Sequence, residues 1–135
     1  MYLTLKILAL FTLPAIALSS DASLNSKIQL VSDNGIFRVI IQPELSPLKI
    51  NEIHDWHIQL NANDGTHVEN AVITFKGGMP AHDHGLPTSP KVTKGNTHGK
   101  YIASGIRFHM PGIWEIIITI RAEEIVDSFT FNLTL

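Results

Sequence analysis

Two short stretches of the chain combine imidazole and thioether side chains. The first is Gly77-Gly78-Met79-Pro80-Ala81-His82-Asp83-His84-Gly85, and the second is His109-Met110-Pro111-Gly112. His82 and His84, with one residue between them, can face the same way where the backbone is extended. The Met79 thioether stands three residues before His82. Imidazole with thioether suits copper, because Cu(I) accepts sulfur and Cu(II) accepts nitrogen. Zinc accepts the imidazoles but gains little from methionine. Asp83 offers a carboxylate in the same loop, and His98 a further imidazole from Lys94-Gly95-Asn96-Thr97-His98-Gly99. A copper site built on Met79, His82 and His84, completed by His109, Met110 or His98, is the sharper reading. The plainer one has Met79 and Met110 filling the core, as methionine commonly does, with Gly and Pro shaping turns. The remaining histidines, His54, His57 and His67, lie in or beside strand-like runs and are expected at solvent-facing or edge positions.

Other chemistries find little support. The chain has no cysteine, which removes disulfides, thiolate zinc sites, iron–sulfur clusters and a cysteine nucleophile together. Ten Lys+Arg against 12 Asp+Glu leave a net charge of −2, so there is no basic field for nucleic acid. Gly77-Gly78 lacks the Gly-Lys-Ser/Thr ending of a phosphate loop, and there is no nucleophile elbow. A metal-dependent hydrolase would have only Asp83 as its general base. The expectation is a protein that is not an enzyme.

The N-terminus reads as an address. Lys6 precedes the apolar run Ile7–Leu18, and Ala17-Leu18-Ser19 offers small residues where a signal peptidase reads. The run is shorter than the roughly 20 residues that a membrane-spanning helix needs, so no stable span is expected. Residues 1–19 are read as a cleaved secretory signal and 20–135 as one domain, periplasmic or secreted. The new terminus Ser20-Asp21-Ala22 has no histidine at its first or third position. That excludes a copper site built on the α-amine and an N-terminal histidine, as in oxidative polysaccharide-cleaving enzymes.

These residues must be positioned by strands, since the periodicity after residue 26 is two. Lys27–Val31 and Ile36–Gln42 flank the turn signal Ser32-Asp33-Asn34-Gly35. Leu48–Asn61 alternates, with a break between Ile53 and Trp56 that suggests a bulge. Asn63-Asp64-Gly65-Thr66 is a hairpin turn. It leads into Val68–Lys76, with Val68, Val72 and Ile73 as core candidates. Gly77 to Asn96 is read as a long irregular loop. Strands resume at Lys100–Phe108, Gly112–Arg121 and Ile125–Leu135, with Phe108, Trp114, Ile116 and Ile118 inside and Glu123-Glu124 at a hairpin tip. About seven strands in this length predict an all-β fold, an immunoglobulin-like antiparallel β-sandwich.

The run Gly78-Met79-Pro80-Ala81-His82-Asp83-His84-Gly85-Leu86-Pro87, followed by Tyr101, Gly105, Phe108 and Met110-Pro111-Gly112-Ile113-Trp114, resembles the YtkA-like domain family over roughly Ile50 to Leu135. That family is related to the FixH-type accessory proteins of cytochrome oxidase assembly. The resemblance implies an immunoglobulin-like sandwich outside the cytoplasm and, among metal-handling members, a copper-related accessory role. It points to Met79, His82, His84, Met110 and Trp114. FixH-type proteins are held by a membrane helix, which the short apolar run here does not supply. The combined expectation is a periplasmic protein that binds or delivers copper, with a metalloprotein recipient in the periplasm or membrane. The alternative is a protein-interaction module without metal, its histidine-rich loop serving as a recognition surface tuned by imidazole protonation.

Overall fold

Alternating apolar and polar residues set the strands of the computed structural model, which describes residues 27–135. The expected signal, residues 1–19, lies outside the described residues. In chain order the strands are β1 (Ile28–Val31), β2 (Phe37–Pro43), β3 (His54–Ala62), β4 (Val72–Met79), β5 (His84–Gly85), β6 (Lys91–Lys94), β7 (Lys100–Ile106), β8 (Ile113–Ala122) and β9 (Ile125–Thr134). They form two antiparallel sheets, ordered β1-β2-β3-β7-β6 and β5-β4-β8-β9. The fold is the expected β-sandwich, with nine strands rather than about seven. The additional two, β5 and β6, come from the stretch read as irregular, where Gly and Pro hide strands too short to show a period.

Each sheet turns one face inward. Phe37, Val39 and Ile41 of β2, Trp56, Ile58 and Leu60 of β3, and Trp114, Ile116, Ile118 and Ile120 of β8 are all buried, as period-two patterning requires. Aromatic rings join the sheets edge to face: Trp56 meets Phe75 at 5.2 Å and Phe108 meets Trp114 at 5.2 Å between centroids. Such pairs stabilise by about 0.5–1.5 kcal/mol beyond their area.

Three local expectations are corrected. Leu48–Ile53 precedes the strand instead of belonging to it: β3 begins at His54, and Ile53 is 61% exposed. His54, expected at a solvent-facing or edge position, is buried beside Phe108 and Trp56 on an interior strand. Parity explains it, since His54 shares the inward face with Trp56 and Ile58. Val72, read as core, points outward because the inward set of β4 is Ile73, Phe75 and Met79.

The expected irregularity near Ile53–Trp56 is present, and its extra residue lies on the partner strand. Between the pairs His54↔Ile106 and Trp56↔Ala103, Asp55 alone faces Ser104 and Gly105. Gly105 has φ +82°, a conformation that costs glycine little. The Asp55 carboxylate accepts from Ser104 Oγ at 2.8 Å and from Gly105 N–H at 3.2 Å. A bulge of this kind re-aims the strand that carries it. Here it precedes Ile106, Phe108 and His109, the exit of β7 toward the histidine cluster.

Candidate functional site

The β4–β5 pairing places His84 opposite Met79. Directly opposed residues project to one face of a sheet, and Met79 belongs to the inward, buried set of β4. His84 therefore faces the interior at the open end of the sandwich. The β4–β8 register runs to Gly78↔Glu115, and its next step sets Met79 beside Trp114. Three adjacent strands thus present His84, Met79 and Trp114 in a row. The β7–β8 connection, His109-Met110-Pro111-Gly112, closes over them.

Ring geometry describes the result. His84 lies 4.8 Å from His109, 5.8 Å from His82 and 5.9 Å from Trp114 between centroids. His109 lies 5.5 Å from Trp114. Two imidazoles on one ion, with metal–nitrogen bonds of about 2.0 Å and a roughly tetrahedral angle, have centroids about 5 Å apart. The His84–His109 pair meets that spacing. His84 Nε2 and His109 Nδ1 are both buried and without a hydrogen-bond partner, and an unpaired buried polar atom costs about 1–3 kcal/mol. The His84 Nδ1 lies 3.4 Å from the Gly85 carbonyl oxygen. A proton on Nδ1 turned to that carbonyl leaves Nε2 as the bare donor, the arrangement in which metal-binding imidazoles are commonly held.

The sulfur side is also built. A Cβ on Gly112 would come within 2.8 Å of the Met79 methyl, so the methionine ends directly under the loop that carries His109. Gly112 adopts φ +128° and exchanges backbone hydrogen bonds with Leu135. Trp114 Nε1–H donates to the Met110 carbonyl at 3.0 Å, which anchors the same loop to β8.

The sequence-selected residues divide accordingly. Met79, His84 and His109 converge. His82 is exposed at the opening, its ring stacked on His84 at 24°. The extended backbone that would let His82 and His84 face the same way is met at His84, in β5, but not at His82. A 3-10 turn at Pro80–His82 is followed by Asp83 at φ 50°, and this left-handed residue folds the chain so that the rings still meet. Met110 is partly buried against the core. His98 is not brought in. Its Nδ1–H donates to Glu69 Oε1, 2.9 Å away, beside the start of β7, whereas His109 follows its end. Seven strand residues at about 3.3 Å each separate those ends. Trp114, read only as core, has its ring beside both imidazoles as well as in the interior. Its parity was legible, but not its neighbours across the sheet edge.

At the other pole the Glu69 carboxylate takes part in an ion pair with Lys94 Nζ at 2.6 Å and accepts from Gly99 N–H at 3.0 Å. Lys94 first and His98 second hold its pKa down at about 2. No cluster of three or more His, Asp or Glu side chains is arranged to hold a metal among the described residues. A site at the His84–His109 pair therefore depends on the Met79 thioether. Among the described residues no helix is long and apolar enough to cross a membrane.

A family model described as YtkA-like matches residues 29–119, so the chain belongs to the YtkA-like family. The match takes in β1 and β2, ahead of the expected start at Ile50, and ends within β8. No curated protein and no solved structure gives a significant match.

Proposed function

We propose that this YtkA-like protein is an exported accessory protein that binds copper and passes it on. Copper is its cargo, taken by His84, His109 and Met79, with His82 at the opening. The observation that carries the reading is the pair of buried, unpartnered nitrogens, His84 Nε2 and His109 Nδ1, on rings 4.8 Å apart beside a buried thioether. Two imidazoles and one sulfur suit copper better than zinc or a hard cation. Three donors, from β4, β5 and the β7–β8 connection, leave the solvent side open, so an incoming ligand can enter before the outgoing one leaves. Ligand exchange, without bond-making on the cargo, is then the mechanism. The recipient would be a metalloprotein in the periplasm or membrane.

The test is competition between the protein and a chelator for Cu(I) and Cu(II), read as metal bound per chain. His84→Ala and His109→Ala each weaken binding by at least about tenfold. His98→Ala leaves it unchanged. Equal loss from all three variants, or no binding above a histidine background, overturns the reading. The exposed His82-Asp83 tip supports the second reading, a protein-interaction module without metal. Partner capture that survives chelation would favour it.

A further inference from the structure

The two sheets expose four edge strands, and three of them are blunted. β1 has four residues with Lys27 before it, β6 has four and carries a lysine at each end, and β5 has two. Short length and lysines are the usual protection against edge-to-edge pairing. β9 has ten residues without proline, lysine or arginine. Its one charge, Asp127, is buried and held by Asn34. Among the described residues, β9 is the edge left open.

Hydrogen bonds show which of its groups are free. Leu135 exchanges both backbone bonds with Gly112, and the β8–β9 register repeats every second residue. The odd-numbered residues of β9 therefore bond to β8, and Ser128, Thr130, Asn132 and Thr134 turn their N–H and C=O groups outward. The Ser128 carbonyl is already used, because it accepts from Asp33 N–H at 2.8 Å. That leaves Thr130-Phe131-Asn132-Leu133-Thr134. This stretch reads the same in both directions by type: threonine at each end, a large apolar residue next, asparagine at the centre.

We infer that β9 pairs with β9 of a second copy of this chain, antiparallel, about a two-fold axis at Asn132. An isologous interface needs a self-complementary patch, and this register supplies one. Asn132 faces Asn132 of the second copy, and Thr130 faces its Thr134. All the free groups are used, in about six backbone hydrogen bonds. On the outer face the threonines and asparagines meet as neutral hydrogen-bonding pairs. On the inner face Phe131 meets Leu133 of the second copy. Both are partly buried in one chain, so pairing extends the core across the seam. The inference is independent of the metal reading.

The experiment is sedimentation of the purified protein over a range of concentrations, its N-terminus read by intact mass. Hydrogen exchange is followed alongside at the amides of Thr130, Asn132 and Thr134. The expected result is a dimer whose dissociation uncovers those three amides. Asn132→Lys sets like charges directly opposite each other on the axis. It weakens the dimer about tenfold or more, with an unchanged circular dichroism spectrum. Thr130→Pro removes an outward N–H and no bond to β8, and does the same. A monomer at millimolar concentration overturns the inference. So does a dimer indifferent to Asn132→Lys and Thr130→Pro. Amides protected at every dilution in a monomeric chain also overturn it, because another part of the same chain then covers the edge.

Discussion

At the residue scale the site depends on small decisions about which atom faces which. Gly112 is one. A side chain there must accept φ +128°, a strain of about 1–3 kcal/mol, and its Cβ would press on the Met79 methyl at 2.8 Å. Gly112→Ala is therefore expected to lower stability by that amount in a denaturant titration and to weaken copper binding as well. Met79→Leu separates the two roles of the thioether. It keeps the volume, so stability falls by less than about 1.5 kcal/mol, while Cu(I) binding falls at least about tenfold. Unchanged Cu(I) binding would make Met79 a core residue only. The sequence showed the donor types and their two clusters. It could not show that His109 rather than His98 meets His84, because that depends on which strand ends share a pole. Nor does periodicity report a left-handed Asp83, since the conformation of a single residue after a 3-10 turn leaves no period.

At the element scale the turns and connections decide what the strands present. The Ser32–Gly35 turn, legible from its composition, packs against β9: Asn34 donates to Asp127 through backbone and side chain, and Ser128 Oγ donates to Asp33 at 2.7 Å. Burial raises the Asp127 pKa, but hydrogen bonds from Ser32, Ser128 and Asn34 together outweigh it, and the net shift is downward. Asp127→Ala leaves the Asn34 and Ser128 N–H groups without their acceptor, and a loss of about 1–3 kcal/mol is expected on thermal or chemical unfolding. The β3–β4 connection is held at the same pole, where Asn63 N–H donates to the Ile36 carbonyl at 3.0 Å. Tyr101 Oη donates to the Val68 carbonyl at 2.8 Å and accepts from Ala71 N–H at 3.0 Å. Glu69 beside it has its pKa lowered from 4.5 to about 2. A depressed folded-state value adds stability above the unfolded pKa that is lost as pH falls through the folded one. The Glu69 contribution is thus complete above about pH 4.5 and gone near pH 2. Glu69→Gln is expected to shrink the fall in unfolding free energy across that window. An equal fall in the variant would show that other carboxylates carry it. The strands themselves were legible wherever they were long. β5 and β6 were not, because two and four residues cannot establish a period.

At the scale of the whole molecule, one core serves both sheets and sets how firmly the site is held. Trp56 is fully buried and meets Phe75, Phe108 and Phe131. Trp56→Ala is expected to cost about 3–5 kcal/mol, read as a shift in the denaturant midpoint. The bulge at Ser104-Gly105 and the packed Phe108–Trp114 pair then deliver His109 to a rigid place over β5 and β4. The sandwich and its family were legible because a long alternating pattern and two ordered motifs survive without knowledge of tertiary contacts. The metal reading goes further, and it concentrates on one pair of rings. Its most direct measurement is Cu(I) titration against a competing chelator, comparing the unaltered protein with the His84→Ala/His109→Ala double variant. The account predicts one copper held per chain by the former and none by the latter, with the unfolding midpoint of the variant no lower than that of the metal-free protein. Equal copper retention by both would contradict it.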